Sequence, residues 1–256
     1  MDSRPLIVQT IVLGVCLWIE SLAPLFMDRP LPQRLRHGVR NLSIGLINGA
    51  VLTFIFWKLV VSSAHWGELH RTGLLYHLNL PRGPERIAGF LLFDFWMYLW
   101  HRANHQLPLF WRFHRVHHTD PALDSTSAYR FHIGEMVLST LLRLAVIPLL
   151  GIRLADLVFY ELLLSPVIIF HHSNIALPEE IDRVIRMLIV TPNMHRVHHS
   201  DIPNETNSNY SSIFSFWDRL WRTYRRRDNT TIRYGLKEFR APRWDTIPGM
   251  LTLPAE

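Results

Sequence analysis

Three short histidine-rich segments are the clearest candidates for a chemical function in this chain. They read HRANH (His101, His105), HRVHH (His114, His117, His118) and, much later in the chain, HRVHH again (His195, His198, His199). Neutral imidazole is the most common metal-binding side chain in proteins. Because a structural zinc site usually takes four ligands, eight histidines exceed what one such metal needs, and they predict two metal ions.

The spacing within each segment suits ligands on helices. His101 and His105 are four residues apart, so on a helix both project from one face, about 6 Å apart, and can share a metal. In HRVHH the second and third histidines follow the first by three and four residues, so all three can converge on one side. The adjacent pair His117 and His118 diverges by about 100°, which indicates ligands to two different metals.

Two single histidines and one acid join these candidates. His132 stands in Arg-Phe-His with Glu135 three residues on, and His172 stands in His-His-Ser-Asn. The predicted topology returns both histidines to the face that holds the three segments, which would raise the count to ten. Asp94 lies seven residues before His101 on the same helical face. Because an acid within a span is costly, we expect Asp94 to accept a hydrogen bond from a ligating imidazole, with helix capping or packing as the alternative.

The ligand type narrows the choice of metal. All-imidazole sites suit zinc, copper, iron and nickel. The number of histidines argues against two closed structural zinc sites. A pair of irons with open positions for dioxygen is therefore the favoured interpretation.

The remaining residues of interest favour ordinary roles. His37, His65, His70 and His77 have no ligand spacing, so we expect them to be solvated or interfacial. Cys16, the single cysteine, lies in an apolar run and is interpreted as a small buried hydrophobe.

Apolar segments must position the histidines. The chain is 48% hydrophobic and only 19% charged, whereas a soluble domain carries about 25% charged residues. Long apolar runs occupy residues 5–27, 42–61, 86–105, 136–150 and 154–170. The last two are short for full crossings and could form a tight hairpin. The pattern predicts an all-α, polytopic membrane helical bundle of about four to five hydrophobic segments with a cytosolic histidine-rich helical cap.

The distribution of arginine predicts the orientation. Arginines crowd residues 29–40 and the carboxyl-terminal tail, so these parts, and the histidine segments with them, should face the cytoplasm. Residues 63–85 should lie on the opposite side, and the membrane is a bacterial inner membrane or the endoplasmic reticulum. The net charge is +6, but no basic patch falls on a soluble recognition element, so no nucleic-acid partner is expected.

The same motifs resemble a known family. The pattern HxxxH…HxxHH…HxxHH, the apolar hairpin and the ending NSNYSSIFSFWDRLWRTY look like the fatty acid hydroxylase / sterol desaturase superfamily of integral-membrane di-iron enzymes. The likeness covers roughly residues 85–226. The family pattern also has an Asp before the first box and two further segments, matched here by Asp94, by Arg130, His132 and Glu135, and by His172 and Asn174.

The resemblance implies two iron ions that use O₂ to oxidise an unactivated C–H bond of a lipid, such as a fatty acyl chain or a sterol. The implied metal ligands are His101, His105, His114, His117, His118, His132, His172, His195, His198 and His199. Asp94, Glu135 and Asn174 would support them. The chain then divides into membrane helices (1–80), a catalytic domain (81–226) and a tail (227–256).

Some features depart from the family pattern. Ile133 stands where proline is frequent, and Ser211 stands where glycine is frequent, but neither change removes a ligand. There is no His-Pro-Gly-Gly segment, so no fused cytochrome b5 domain is indicated. Electrons must come from a separate ferredoxin or a cytochrome b5-like protein with its reductase. The tail arginines could dock an acidic donor or bind anionic lipid equally well: Arg219, Arg222, Arg225, Arg226 and Arg227.

Alternatives remain open at this point. Hydroxylation and desaturation share the first hydrogen abstraction and differ only in the step after it. The ligands do not separate the two reactions, although hydroxylation is slightly favoured. A metal-binding or metal-transport membrane protein is a different class, but transport ligands lie near the membrane midplane rather than at span ends. A haem electron carrier would need axial histidine pairs on facing helices instead of HxxHH boxes.

Overall fold

Long apolar helices make up most of the first two thirds of the chain in the computed structural model, which describes residues 4–27 and 29–256. The helices are α1 Arg4–Leu22, α2 Leu31–Val51, α3 Trp57–His70, α4 Leu74–Leu78, α5 Arg82–Gln106, α6 Pro108–His118, α7 Ile133–Leu150, α8 Leu154–His172, α9 Glu179–Ile185, α10 Pro192–His198, α11 Pro203–Thr206, α12 Phe216–Leu220 and α13 Ile247–Thr252. A π-helical turn, Leu52–Phe56, joins α2 to α3, and short 3₁₀ turns fill several connections. The predicted all-α helical bundle is confirmed.

Four helical stretches within the described residues are long and apolar enough to cross a membrane. They are α1, the run Leu31–Leu78, α7 and α8. Their outer faces expose large apolar side chains, among them Trp18 at 65% and Phe54 at 85%. Such surfaces suit hydrocarbon rather than water. The chain is an integral membrane protein.

Helix α5 differs from the expectation of a third membrane span. Residues 86–105, expected as the third span, lie in α5, which is not one of these four stretches. Its Phe93 and Met97 belong to one apolar core with Ala64 of α3, Ile147 of α7 and Tyr160 of α8. Since protein rather than lipid surrounds much of α5, the helix can carry polar residues.

The hairpin α7–α8 reaches the end of the bundle opposite the histidines. Its turn at Gly151 lies against Gly73, which has a φ of +100°. A Cβ at Gly73 would stand 2.3 Å from the Pro148 carbonyl oxygen, so only glycine allows the two segments to meet. There the Arg153 Nε donates to Glu85 Oε1 at 3.0 Å. Residues 71–85 and the hairpin turn therefore share one end.

The loop after α1 lies at the other end. The Leu25 N–H donates to the Asn174 carbonyl oxygen at 2.7 Å, and the Ala176 N–H donates to the Ala23 oxygen at 2.8 Å. The Glu20 carboxylate, fully buried, accepts from the Asn174 N–H at 2.7 Å. These contacts tie the first loop to the carboxyl end of α8, where His172 lies.

His37 departs from the expectation of a solvated or interfacial histidine. It is only 2% exposed. Its Nε2 lies 2.7 Å from Asp120 Oδ1 and its Nδ1 lies 2.9 Å from Asp124 Oδ2. Two buried contacts to carboxylates fasten α2 to the segment that follows the second histidine box. The histidines with no ligand spacing that remain exposed are His65, His70 and His77. Cys16 is buried, as expected.

Residues 227–256 pack onto the helices that carry the histidines. Met250 and Leu253 are fully buried in a cluster with Ile44 and Val116. Asp245 of this segment pairs with the fully buried guanidinium of Arg130 at 2.9 Å. The segment thus closes over the region between α2 and α6.

Replacing Asp245 with alanine should destabilise the fold. The change removes the carboxylate partner of a guanidinium that no water reaches, a loss that costs about 3 kcal/mol in the free energy of unfolding. Thermal unfolding in detergent measures it, with Glu238→Ala, an exposed acid of the same segment, as the matched control. Equal midpoints for the two variants would show that the Arg130 pair contributes nothing to stability.

Candidate metal centre

Histidines from α5, α6, α8 and α10 meet in two clusters at the end of the bundle that holds the first loop. The five-histidine cluster contains His101, His105, His114, His118 and His198. The four-histidine cluster contains His117, His172, His195 and His199. Within each cluster every histidine offers one ring nitrogen, and these nitrogens lie within 4.8 Å of one another.

Each HRVHH box is divided between the clusters. In α6 the first and third histidines face the five-histidine cluster, and His117 faces the other. At α10 the assignment is reversed, because His195 and His199 face the four-histidine cluster and His198 faces the other. The divergence of adjacent histidines around a helix produces this division. The two boxes therefore hold the two clusters side by side.

Four of the boxed imidazoles, two from each HRVHH box, are buried. His118 and His198 are at most 1% exposed, and His117 and His199 are 2% exposed. Burial among other imidazoles lowers the pKa of all four well below the usual value for histidine. Neutral imidazole is the form that binds a metal.

Backbone carbonyls fix which ring nitrogen carries the proton. Nδ1 of His101 lies 2.8 Å from the Tyr210 oxygen, and Nδ1 of His198 lies 2.6 Å from the Ser208 oxygen. In the other cluster, Nδ1 of His172 lies 2.7 Å from the oxygen of Ile168, in its own helix. Because a carbonyl only accepts, each Nδ1 donates and each Nε2 keeps a free lone pair.

The four-histidine cluster shows why a cation fits. His117 donates from Nδ1 to the Arg130 oxygen at 3.3 Å, so its Nε2 is also unprotonated. That Nε2 lies 3.0 Å from Nε2 of His172. Two lone pairs at this distance repel each other unless a cation lies between them. Nε2 of His195 is likewise 3.1 Å from Nε2 of His172 and 3.1 Å from Nε2 of His199.

The five-histidine cluster fits a metal in the same way. Nε2 of His198 is buried and has no hydrogen-bond partner within the part of the chain that the structure describes. Such an unpaired buried nitrogen is costly unless a ligand satisfies it. Nε2 of His118 and Nε2 of His114 approach to 3.2 Å. Both donor sets consist of imidazole nitrogens, which suit iron, zinc, copper or nickel.

Glu135 contacts a clustered imidazole. Its Oε1 lies 2.9 Å from Nδ1 of His114, and the carboxylate is buried at the start of α7. A carboxylate that accepts from the outer nitrogen of a ligating histidine fixes the ring orientation and raises its basicity. The sequence-based role of Glu135 as a supporting residue thus has a geometric basis.

His132, one of the ten candidate ligands, lies outside both clusters. It is the N-cap of α7: its Nδ1 accepts from the Gly134 N–H at 2.9 Å. Its Nε2 lies 3.2 Å from the Leu251 carbonyl oxygen and donates to it. With both ring nitrogens engaged, this histidine joins α7 to the carboxyl-terminal segment.

Within the described residues the hydrogen bonds of Asp94 go to groups other than imidazoles, which differs from its expected role. Its carboxylate accepts from the Tyr160 hydroxyl at 2.8 Å, from Trp217 Nε1 at 2.8 Å and from the Phe214 N–H at 3.1 Å. It therefore anchors the segment that follows Tyr210, the residue whose carbonyl orients His101. The influence of Asp94 on the metal site passes through this segment.

Asn174 also acts at a distance from the imidazoles. Its Nδ2 donates to the Phe26 oxygen at 2.9 Å, and its Oδ1 accepts from the Phe26 N–H at 3.2 Å. It fastens the first loop beside the carboxyl end of α8. No imidazole is among these partners, so its supporting role is to hold the helix end that carries His172.

The sequence analysis did not identify two buried residues that lie close to the clusters or to the loop that orients them. Asp218 accepts from the Tyr210 N–H at 2.8 Å and from the Ser211 N–H at 2.9 Å, which fixes the loop that orients His101 and His198. Its place in the family-like ending WDRLW was the available signal. His171 is buried with its ring centroid 4.0 Å from that of His195, and only its adjacency to His172 could have marked it.

Several known proteins are similar to this chain. Ornithine lipid hydroxylase OlsE of Rhizobium tropici is 27% identical over 59% of the chain and 46% of that protein. Alkylglycerol monooxygenase of Danio rerio is 30% identical over 90% of the chain and 48% of that protein. Alkylglycerol monooxygenase of Caenorhabditis elegans is 31% identical over 62% of the chain and 31% of that protein. In each case the match spans less than half the length of the relative. No solved structure gives a significant match.

A family model described as fatty acid hydroxylase matches residues 86–223, which is more than half of the chain. That range contains all three histidine boxes, His172 and Glu135, and the loop that orients His101 and His198. The chain belongs to the fatty acid hydroxylase family.

Proposed function

We propose that the protein is a membrane di-iron oxygenase that hydroxylates an unactivated C–H bond of a lipid. The observation that carries this proposal is the pair of adjacent, buried, all-histidine clusters whose free nitrogen lone pairs converge. The names of the relatives, a lipid hydroxylase and alkylglycerol monooxygenases, support a lipid substrate.

The two clusters are the proposed iron ligands. His101, His105, His114, His118 and His198 would hold one iron, and His117, His172, His195 and His199 would hold the other. A di-iron centre, when bound, supplies the dioxygen activation that an unreactive C–H bond requires. The overall reaction places one oxygen atom on carbon, and two electrons and two protons reduce the other to water.

The chain's own residues prepare the site. Glu135 and the carbonyls of Ser208 and Tyr210 hold the Nδ1 protons of three imidazoles, which leaves Nε2 free to bind. Burial keeps bulk water away from the clusters, so reactive species are not quenched and the neutral form of histidine persists. Positioning and protection are therefore the contributions of the protein.

Desaturation on the same ligand set is the alternative outcome. Both reactions begin with removal of one hydrogen from the substrate, and no contact in the described residues distinguishes the second steps of the two reactions. The names of the first relatives favour hydroxylation. A metal-transport function is disfavoured because both clusters lie together at one end of the bundle.

The test of this function uses the purified protein in lipid vesicles with iron, a reductant system and ¹⁸O₂. Mass spectrometry of the extracted lipid should show a product that carries one ¹⁸O atom. A product that lacks two hydrogens and contains no label would establish the desaturase alternative. Stable metal binding with an unchanged lipid pool would contradict both and favour a metal-binding protein.

We also propose that the histidine clusters face the cytoplasm, in a bacterial inner membrane or the endoplasmic reticulum. The first loop, the clusters and residues 227–256 lie at one end of the bundle, so a single assignment of side covers all three. That end carries the arginine excess, which marks the cytoplasmic side in membrane proteins. Arg29, Arg34, Arg36 and Arg40 belong to it.

A separate electron donor is the remaining partner, either a ferredoxin or a cytochrome b5-like protein. The ion pairs of the tail arginines bear on which of them could contact such a donor. Arg226 pairs with Glu179 at 2.6 Å, and Arg227 pairs with Glu205 at 2.8 Å, so each of these arginines has a carboxylate partner within the chain. Arg222 and Arg225 are exposed, and steering of an acidic donor would depend on them.

Reversing the charge of Arg222 and Arg225 together to glutamate should slow donor-dependent turnover about tenfold at low salt, because steering raises association rates. Stopped-flow reduction in detergent measures the rate, and the effect should vanish at high salt. Lys237→Glu, which reverses an exposed charge elsewhere, is the control. Unchanged reduction kinetics at low salt would reject the role of these arginines in steering an electron donor.

A further inference from the structure

One face of the histidine-bearing end exposes large apolar side chains although it belongs to none of the four candidate spans. It is formed by α9, the residues directly after it, and α12. We name it the α9–α12 face. Its members, each between 46% and 67% exposed, are Ile181, Val184, Met187, Leu188, Leu220 and Trp221. Large apolar side chains exposed in this number on neighbouring segments indicate a binding or membrane-contacting region.

The α12 side of this face lies beside the middle of α5 rather than at its end. Phe214, just before α12, has its ring centroid 5.7 Å from that of Phe90 in α5. Trp221 stacks on Phe95 of the same helix at 5.6 Å. Phe90 precedes His101 by eleven residues, so it lies about 16 Å along the helix from the five-histidine cluster, toward the opposite end of the bundle.

A candidate span crosses the same level. Asp94 accepts hydrogen bonds from Trp217 of α12 and from Tyr160 at once. Tyr160 lies in α8, Leu154–His172, one of the four candidate spans. If α8 crosses the bilayer, α12 and its neighbours must lie at the depth of the membrane at which Tyr160 lies. Water is then excluded as the medium for their exposed apolar side chains.

The backbone of this region is satisfied internally, as hydrocarbon surroundings require. The Val190 N–H donates to the Ile213 oxygen at 2.9 Å, and the Ser215 N–H donates to the Leu188 oxygen at 3.0 Å. The Arg186 carbonyl oxygen accepts from the Ser215 hydroxyl at 2.6 Å. The non-helical segments just after α9 and just before α12 therefore pair these backbone groups with each other.

We propose that the α9–α12 face is inserted in the bilayer leaflet on the histidine side, as a re-entrant element in addition to the four spans. The element covers the flank of α5 at Asp94 and Phe95, which explains why α5 lies at membrane depth without being apolar enough to face lipid. Exposed Arg183 at its margin suits anionic headgroups. The result is that both histidine clusters lie close to the membrane surface.

Environment-sensitive labels test this insertion in the full-length protein. In a Cys16→Ser background, Met187→Cys and Leu220→Cys are labelled with an NBD fluorophore and reconstituted in phosphatidylcholine–phosphatidylglycerol vesicles. Leu59→Cys, on the outside of α3, is the lipid-facing reference, and Lys237→Cys is the water-facing one. Met187 and Leu220 labels should show the blue-shifted emission and brominated-lipid quenching of the Leu59 label. Unchanged metal content verifies that each variant is folded.

Two results would overturn the proposal. Emission and quenching at Met187 and Leu220 equal to those at Lys237 would place the face in water. Blue-shifted emission without quenching by brominated lipid, together with cross-linking between labelled chains, would make a second copy of the chain its partner. Neither readout depends on the reaction that the protein catalyses, so the outcome is independent of the proposed function.

Discussion

Replacing His199 with alanine should lower bound metal from about two ions to about one per chain and abolish lipid oxidation. The four-histidine cluster offers only four imidazoles, so the variant leaves three ligands and an open position. Even the loss of a group that merely supports a ligand weakens metal affinity or activity by about 10- to 100-fold, and a lost ligand should exceed this. Metal analysis by mass spectrometry beside a lipid assay measures both effects.

His70→Ala is the matched control, since His70 is an exposed histidine near the opposite end of the bundle. It should keep two metals and full turnover. His118→Ala provides a contrast within the site, because the five-histidine cluster would retain four imidazoles and lose its metal less completely. Full activity and two metals in the His199 variant would exclude the four-histidine cluster as a metal site.

Replacing Asp218 with asparagine should weaken the five-histidine cluster selectively. The two carboxylate oxygens of Asp218 accept from the Tyr210 and Ser211 N–H groups. An amide of the same size has one acceptor oxygen, so its NH₂ group would face one of these donors. The loop would shift, and with it the carbonyls of Ser208 and Tyr210 that orient His198 and His101. In the four-histidine cluster, His117 and His172 are oriented instead by the carbonyls of Arg130 and Ile168, which lie outside this loop.

The expected result is a loss of about 10- to 100-fold in affinity for one metal, with the other metal retained. Titration with a chelator, followed by metal analysis, resolves the two sites without relying on turnover. Asp228→Asn, a change to an exposed acid in the same part of the chain, should leave both sites intact. Equal loss of both metals would show a general structural role for Asp218, and no loss would show that the loop does not position the ligands.

The sequence alone determined the features that depend on local periodicity. Helical spacing placed His101 and His105 on one face, and it sent the adjacent His117 and His118 toward different clusters. The apolar runs at 5–27 and 154–170 are long and apolar enough to imply spans, and the structure has α1 and α8 there. These results follow because side-chain direction on a helix is fixed by residue number, and burial in lipid requires a continuous apolar surface.

The hydrogen-bond partners of polar side chains could be learned only from the tertiary structure. His132 sits among family-like residues, yet the free N–H groups at the start of α7 and the Leu251 carbonyl take both of its nitrogens. Asp94 lies on the ligand face of α5, but its carboxylate accepts hydrogen bonds from Tyr160 and Trp217. His37 has no motif at all, and only the folding of α2 onto the segment after the second box brings Asp120 and Asp124 to it. Hydrogen-bond partners distant in the chain carry no periodic signal, so the packing of the helices determines which of these polar residues contact the histidine clusters.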